Sequence, residues 1–229
     1  MMSSPRIALL HATPVAMEPI HDAFARLWPD AELVNLLDDG LSVDRARMNE
    51  LTEPMTERFV SLCRYAESTG ADGLLVTCSA FGPAIERAAR DMSIPVLKPN
   101  EAMFQAAIKA GNRIGMIATF PPALATMQEE FAEESQRLGA SAQLTSIVIP
   151  EAIEALRHHD VETHNGLIAE RGKQFEGYDA VMLAHFSTSR AAPLLRTKIG
   201  APVLTAPDAA VARMRQRVLG TSPQTLGGR

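Results

Sequence analysis

Cys78 is the residue in this chain of 229 best suited to chemistry. It follows the aliphatic run Gly73-Leu74-Leu75-Val76 as Thr77-Cys78-Ser79, and Ala80-Phe81-Gly82-Pro83 then opens a helix. A thiol beside helix N–H groups has its pKa drawn from about 8.5 towards neutrality, which would make it a base or nucleophile. The chain also aligns with itself at an offset of 107 residues. Arg6-Ile7-Ala8-Leu9-Leu10 lies over Arg113-Ile114-Gly115-Met116-Ile117, and the run from Asp72 to Ser79 lies over that from Asp179 to Phe186. Ile94-Pro95-Val96-Leu97 then lies over Ala201-Pro202-Val203-Leu204. The offset sets Cys78 against His185, whose imidazole titrates near pH 6.5 and can give or take a proton. A carbon held between two such groups could lose a proton to one and gain one from the other.

The elements that position these residues read as repeated β-α units. Short runs of Val, Ile and Leu alternate with longer amphipathic stretches, the pattern of a parallel sheet. Strands are expected at 6–11, 31–36, 72–77, 94–97, 113–118, 143–149, 179–184 and 201–205. Helices are expected at 43–69, 122–138, 151–175 with a break near His158 to His164, and 207–219. The fold class is therefore α/β: two similar lobes, each a four-stranded parallel sheet flanked by helices, related by a pseudo-twofold axis. Lobe 1, residues 5–106, carries Cys78, and lobe 2, residues 107–206, carries His185. The helix at 207–219 is expected to pack back on lobe 1, and residues 220–229 form a flexible tail.

Ligands of open parallel sheets bind outside the carboxyl ends of the strands. At those ends stand His11-Ala12-Thr13-Pro14, Thr77-Cys78-Ser79, Thr119-Phe120-Pro121 and His185-Phe186-Ser187-Thr188. Small hydroxyls and helix N-termini together suit a carboxylate. The candidate site is catalytic Cys78 and His185, with Thr13, Thr77, Ser79, Thr119, Phe120, Phe186, Ser187 and Thr188 binding substrate. Phe81, Phe120 and Phe186 could also wall an apolar pocket.

Other features read as structural. Cys63 falls on the stripe of Met48, Leu51, Met55, Phe59, Leu62 and Tyr65 and is read as core. Trp28 before Pro29 is read as packing a helix end. His158, His159, Asp160 and His164 lack the i, i+4 pairing of a helical metal site and are read as solvated helix surface. No metal is expected. Lys98 lies at a strand end without the Gly-rich phosphate cup a pyridoxal enzyme needs, and both G-x-G-x-x-G and the P-loop pattern are missing, so no cofactor is expected. A formal net charge of -5 argues against nucleic acid and anionic membranes as partners. No apolar run reaches the roughly 20 residues of a spanning helix, and no secretory leader is visible, so a cytoplasmic location is expected.

On Thr77-Cys78-Ser79, the turn at Thr119, the loop Asp38-Asp39-Gly40-Leu41 and the internal repeat, the chain resembles the aspartate/glutamate/hydantoin racemase superfamily, which includes maleate isomerase and arylmalonate decarboxylase. The resemblance spans nearly the whole chain. It implies a cofactor-independent enzyme of two similar α/β lobes with the site between them. Its racemases use one cysteine per lobe to exchange the α-proton of a carboxylate. Cys78 matches the first cysteine, while Thr13, Ser79, Thr119 and Ser187 or Thr188 match positions that hold the substrate carboxylate. The second cysteine is replaced, Ala184-His185-Phe186-Ser187 standing for Gly-Cys-Thr. The expectation is thus an isomerase, a racemase or epimerase moving the α-proton of a small carboxylate. The alternatives are a malonate-type decarboxylase with Cys78 as sole proton donor, a cis-trans isomerase in which Cys78 adds to a double bond, and a small-ligand-binding protein that has lost catalysis. Members are commonly dimers or larger, so a homo-oligomer is also expected.

Overall fold

The computed structural model describes residues 4–48 and 50–220. The tail expected at 220–229 therefore lies, beyond Gly220, outside the described residues. Among the described residues eight strands form two parallel sheets. Strands β1 (Arg6–His11), β2 (Glu32–Leu37), β3 (Gly73–Val76) and β4 (Val96–Leu97) make one, in the order β2-β1-β3-β4. Strands β5 (Arg113–Ala118), β6 (Gln143–Val148), β7 (Ala180–Leu183) and β8 (Val203–Thr205) make the other, in the order β6-β5-β7-β8. The repeat is carried into the strand pairing. Ile7 pairs Gly73 as Ile114 pairs Ala180, and Leu74 pairs Val96 as Val181 pairs Val203. Asp72 and Asp179 close the same joint in each sheet: the Asp72 carboxylate accepts from the Arg6 amide at 2.7 Å, and that of Asp179 from the Arg113 amide at 2.8 Å.

The helices are α1 (Met17–Leu27), α2 (Gly40–Ala46), α3 (Glu53–Ser68), α4 (Gly82–Asp91), α5 (Glu101–Ala110), α6 (Leu124–Arg137), α7 (Pro150–Arg157), α8 (Val161–Gly172), α9 (Ala192–Arg196) and α10 (Ala206–Leu219). The stretch 43–69 is two helices rather than one. Pro54 lies in the first turn of α3, and a proline is tolerated there but not inside a continuous helix. Met48 and Leu51 consequently fall in the connection, and the buried face of α3 is Met55, Phe59, Val60, Cys63 and Ala66, with Tyr65 exposed. The stretch 151–175 divides at His159, whose backbone is left-handed (φ 61°), and Asp160 restarts the helix by accepting from the Thr163 amide at 3.0 Å. Trp28 is buried at the end of α1 with its ring stacked on Phe24.

The chain divides into two compact units. One runs to Pro99 and takes in α10 from Ala210, and the other is Asn100–Ala209. In the first, Ala8, Leu10, Leu74 and Val76 of the sheet pack against Phe59, Cys63 and Ala66 of α3 and Ala84, Ile85 and Ala88 of α4. The close approach of α10 to β3 explains Gly73, where a Cβ would stand 2.6 Å from Met214 Sδ. In the second, Ile117, Val181, Leu183 and Val203 pack against Ile168, Ala169, Phe175 and Leu195. At Gly115 a Cβ would meet the Phe175 ring at 2.7 Å. That ring is buried and cannot swing aside, so Gly115→Ala is expected to lower unfolding stability by about 1–3 kcal/mol, the usual effect of overpacking. Urea denaturation of the variant checks it. Among the described residues no helix is long and apolar enough to cross a membrane.

Candidate active site

In the first unit β1 and β3 run side by side and end at His11 and at Thr77-Cys78. The His11 imidazole is fully buried and partnered at both nitrogens. Its Nε2 lies 3.0 Å from Asn35 Oδ1, and His21 Nε2 reaches the same oxygen at 2.8 Å. An amide oxygen only accepts, so both Nε2 atoms carry protons, and neutral His11 is left with an acceptor at Nδ1. The Thr77 hydroxyl fills it from 2.9 Å, with the Leu10 carbonyl as its other acceptor at 3.3 Å. Thr77 is therefore turned into the protein, where it ties β1 to the residue before Cys78. Burial holds the His11 pKa below its ordinary value.

Cys78 is half-buried and extended (φ −124°, ψ 126°). A 3-10 turn over Ser79–Phe81 follows it, and α4 begins only at Gly82. The surroundings of the sulfur correct the expected acidic thiol. Burial pushes the thiol pKa up, and the opposing Ala80 amide and Arg45 charge do not reverse it. Arg45 of α2 donates from Nη1 to the Met48 carbonyl at 2.9 Å and from Nε to the Ala80 carbonyl at 3.4 Å. The Asp38-Asp39-Gly40-Leu41 loop is held by Arg58, which grips both Asp38 carboxylate oxygens (2.7 and 2.9 Å) and Asp44 (2.7 Å). Thr13 and Ser79 are half-buried beside their strand ends. Phe81 is fully buried and stacked on Phe59, so it belongs to the core and not to a pocket wall. Lys98 pairs with Glu86.

In the second unit the equivalent ends carry different chemistry. Ala118 and Ala184 occupy the places of His11 and Thr77. Thr119 is fully buried, and its Oγ1 has no hydrogen-bond partner among the described residues. His185 Nε2 is likewise buried without a partner, and the His185 backbone is left-handed (φ 71°). Burial lowers its pKa to about 4. Phe186 and Ser187 are buried, whereas Phe120 is 43% exposed. The Thr188 hydroxyl is spent on the backbone carbonyls of Ala184 and His185, the latter at 2.8 Å. Two unpartnered polar atoms, a hydroxyl and an imidazole nitrogen at the ends of adjacent strands, leave this unit able to bond an anion or accept a proton.

Sequence reasoning missed the His11–Asn35–His21 network. Its signal was a lone histidine ending an aliphatic strand, and an asparagine inside Glu32–Leu37. His164 also corrects the expectation of solvated surface. It is fully buried on α8, its Nδ1 lies 2.9 Å from Asn165 Oδ1, and its Nε2 has no partner among the described residues. His158, His159 and Asp160 are exposed. Among the described residues no three metal-ligating side chains cluster. Cys63 is fully buried in the core, and burial pushes its thiol up to about 12.

The sequence model of the Asp/Glu/hydantoin racemase family matches residues 10–146. No curated protein sequence matches the chain at a significant level. Solved structures share its fold. Picrophilus torridus aspartate racemase superposes with TM-score 0.68 at 15% identity, covering 93% of this chain and 94% of that one. Allantoin racemase from Klebsiella pneumoniae gives 0.71 at 18%, covering 99% and 97%. Arylmalonate decarboxylase gives 0.66 at 17%, covering 97% and 96%.

Proposed function

The chain belongs to the Asp/Glu/hydantoin racemase family, and from that premise we propose that it is a cofactor-independent racemase or epimerase moving the α-proton of a small carboxylate, with Cys78 and His185 as its proton-transfer pair. The observation that carries this reading is the pair's equivalence. Each residue stands two places beyond the end of the same strand of a repeated sheet, and His185 keeps an unpartnered nitrogen on a left-handed backbone. Backbone outliers of this kind cluster at functional sites because the surroundings must hold them in place.

The resting pair is neutral. A lowered imidazole pKa leaves His185 unprotonated near pH 7, and a raised thiol pKa leaves Cys78 as S–H. In one direction the substrate Cα–H bond breaks and its proton goes to the imidazole, while the S–H bond breaks and its proton goes to carbon. The thiolate and imidazolium so formed are the starting state for the mirror-image substrate. Between the two transfers the substrate is an enolate-like anion, which Thr13, Ser79, Thr119, Ser187 and backbone amides stabilise. A base as weak as His185 demands an α-proton already acidified by a second carbonyl, an imide or an aryl group.

Two alternatives fare differently. Addition of Cys78 to a double bond needs a thiolate, which burial disfavours. A malonate-type decarboxylation needs only the protonated thiol, and this same raised pKa favours it as the second reading. With Phe81 in the core, however, the apolar wall such a reaction uses is reduced to Phe120 and Phe186.

Incubation in deuterated water with hydantoins, α-aryl carboxylates, amino acids and α-arylmalonates separates the readings. A racemase is expected to place deuterium at Cα without loss of carbon dioxide, and to fail when either Cys78 or His185 is replaced by alanine. Carbon dioxide release that survives His185→Ala and vanishes in Cys78→Ala would establish the decarboxylase. Retention of every α-proton by folded protein would leave a binding protein.

A further inference from the structure

We infer that Thr188 is not a substrate-binding hydroxyl but the positioning residue of His185, a clasp that holds the chain in the conformation presenting the imidazole. Its functional meaning rests on the assignment of His185 above.

The φ and ψ angles of a residue are rotations between the two peptide planes that flank its Cα. The carbonyl before His185 Cα is that of Ala184, and the carbonyl after it is its own. The Thr188 hydroxyl bonds both. One buried side chain thereby pins both planes, and the conformation it pins is the left-handed one that residues other than glycine adopt sparingly. Other hydroxyls bond back to carbonyls in the ordinary way, as Ser189 does to Phe186 and Thr197 to Leu194, within right-handed turns. Thr188 reaches a residue outside that region.

The internal repeat supplies the control. At the place equivalent to Thr188 the first unit has Phe81, stacked in the core, and Cys78 there is extended without a clasp. Between these two equivalent positions, the clasp and the left-handed residue are both present at His185 and both absent at Cys78. With its single proton shared between two carbonyls, the Thr188 hydroxyl has none to offer a carboxylate, which leaves Thr119 and Ser187 as the hydroxyl donors of this unit.

Histidine-labelled protein tests this by nuclear magnetic resonance, which reports the His185 backbone coupling and its titration midpoint without any substrate. The parent is expected to titrate near 4 with a left-handed coupling. Thr188→Ser, which keeps the hydroxyl, should match it. Thr188→Val removes the hydroxyl at constant shape. It should release the backbone, bring the imidazole to solvent and raise the midpoint by a unit or more, a tenfold change in the protonation equilibrium. Thr188→Ala carries the same expectation should the valine variant fail to fold. An unchanged coupling and midpoint in a folded variant lacking the hydroxyl would overturn the inference. Absence of exchange activity in the parent would refute the proposed reaction and leave this test standing.

Discussion

Cys78→Ala is expected to reduce deuterium exchange into substrate by a factor of about 10²–10⁴, the usual contribution of a positioned acid or base, with little change in thermal stability. The thiol is half-buried at a turn, in extended backbone that any residue adopts, so its removal opens no large cavity and releases no strain. Cys78→Ser should lose as much, since a hydroxyl of the same shape gives up its proton far less readily than a thiol. Cys63→Ala is the control. Its sulfur is enclosed in the core of the first unit, so the change should cost stability and leave exchange untouched. Exchange rates within threefold of the parent in Cys78→Ala would remove Cys78 from the reaction. A parallel fall in Cys63→Ala would mean that the loss came from the fold.

What was legible in the sequence follows from how local the determinants are. The strands Arg6–His11 and Arg113–Ala118 were readable to the residue because each is a run of aliphatic side chains ended by a polar or small turn. The repeat predicted matching strands, and the structure adds matching registers, since side chains buried on both faces leave little freedom to slip. The strand expected at 94–97 shortened to Val96–Leu97, and that at 201–205 to Val203–Thr205. In both, a proline stands just before the strand and contributes its carbonyl alone, to Leu74 and to Val181. The chemistry of the site was less accessible. Whether a thiol at a strand-to-helix turn is acidic depends first on how far the fold buries it, and here burial outweighs the Ala80 amide and the Arg45 charge. The state of His185 depends on burial, which distant parts of the chain supply, and on the backbone conformation that lets a hydroxyl three residues later reach its carbonyl. His164 looked like surface because charged and polar residues surround it in the chain, yet α8 turns that one position inward.

Lowering the pH from 7 to 4 is expected to destabilise the protein by about 3 kcal/mol through His185 alone. Its folded pKa of about 4 lies below the ordinary 6.5. Across that window the unfolded chain binds the proton that the folded chain refuses, so stability rises with pH between about 4 and 6.5 and is lost as pH falls. Burial lowers His11 and His164 as well, and they add to the same limb. Asp179, which accepts from two backbone amides, has a lowered carboxylate pKa and acts below this window. The alkaline limb has the opposite origin. The unfolded thiols ionise from about 8.5 upward, whereas folded Cys63 holds its proton to about 12 and Cys78 is also raised. Stability should therefore peak between roughly pH 6.5 and 8.5 and fall on both sides. Urea denaturation across this range, repeated on His185→Gln, measures the share of one residue, since glutamine carries no titrating proton. An acid limb of undiminished slope in His185→Gln would show that the imidazole is already solvated in the folded protein. It would then be a stronger base, and the demand for an acidified α-proton would fall away with the neutral resting pair.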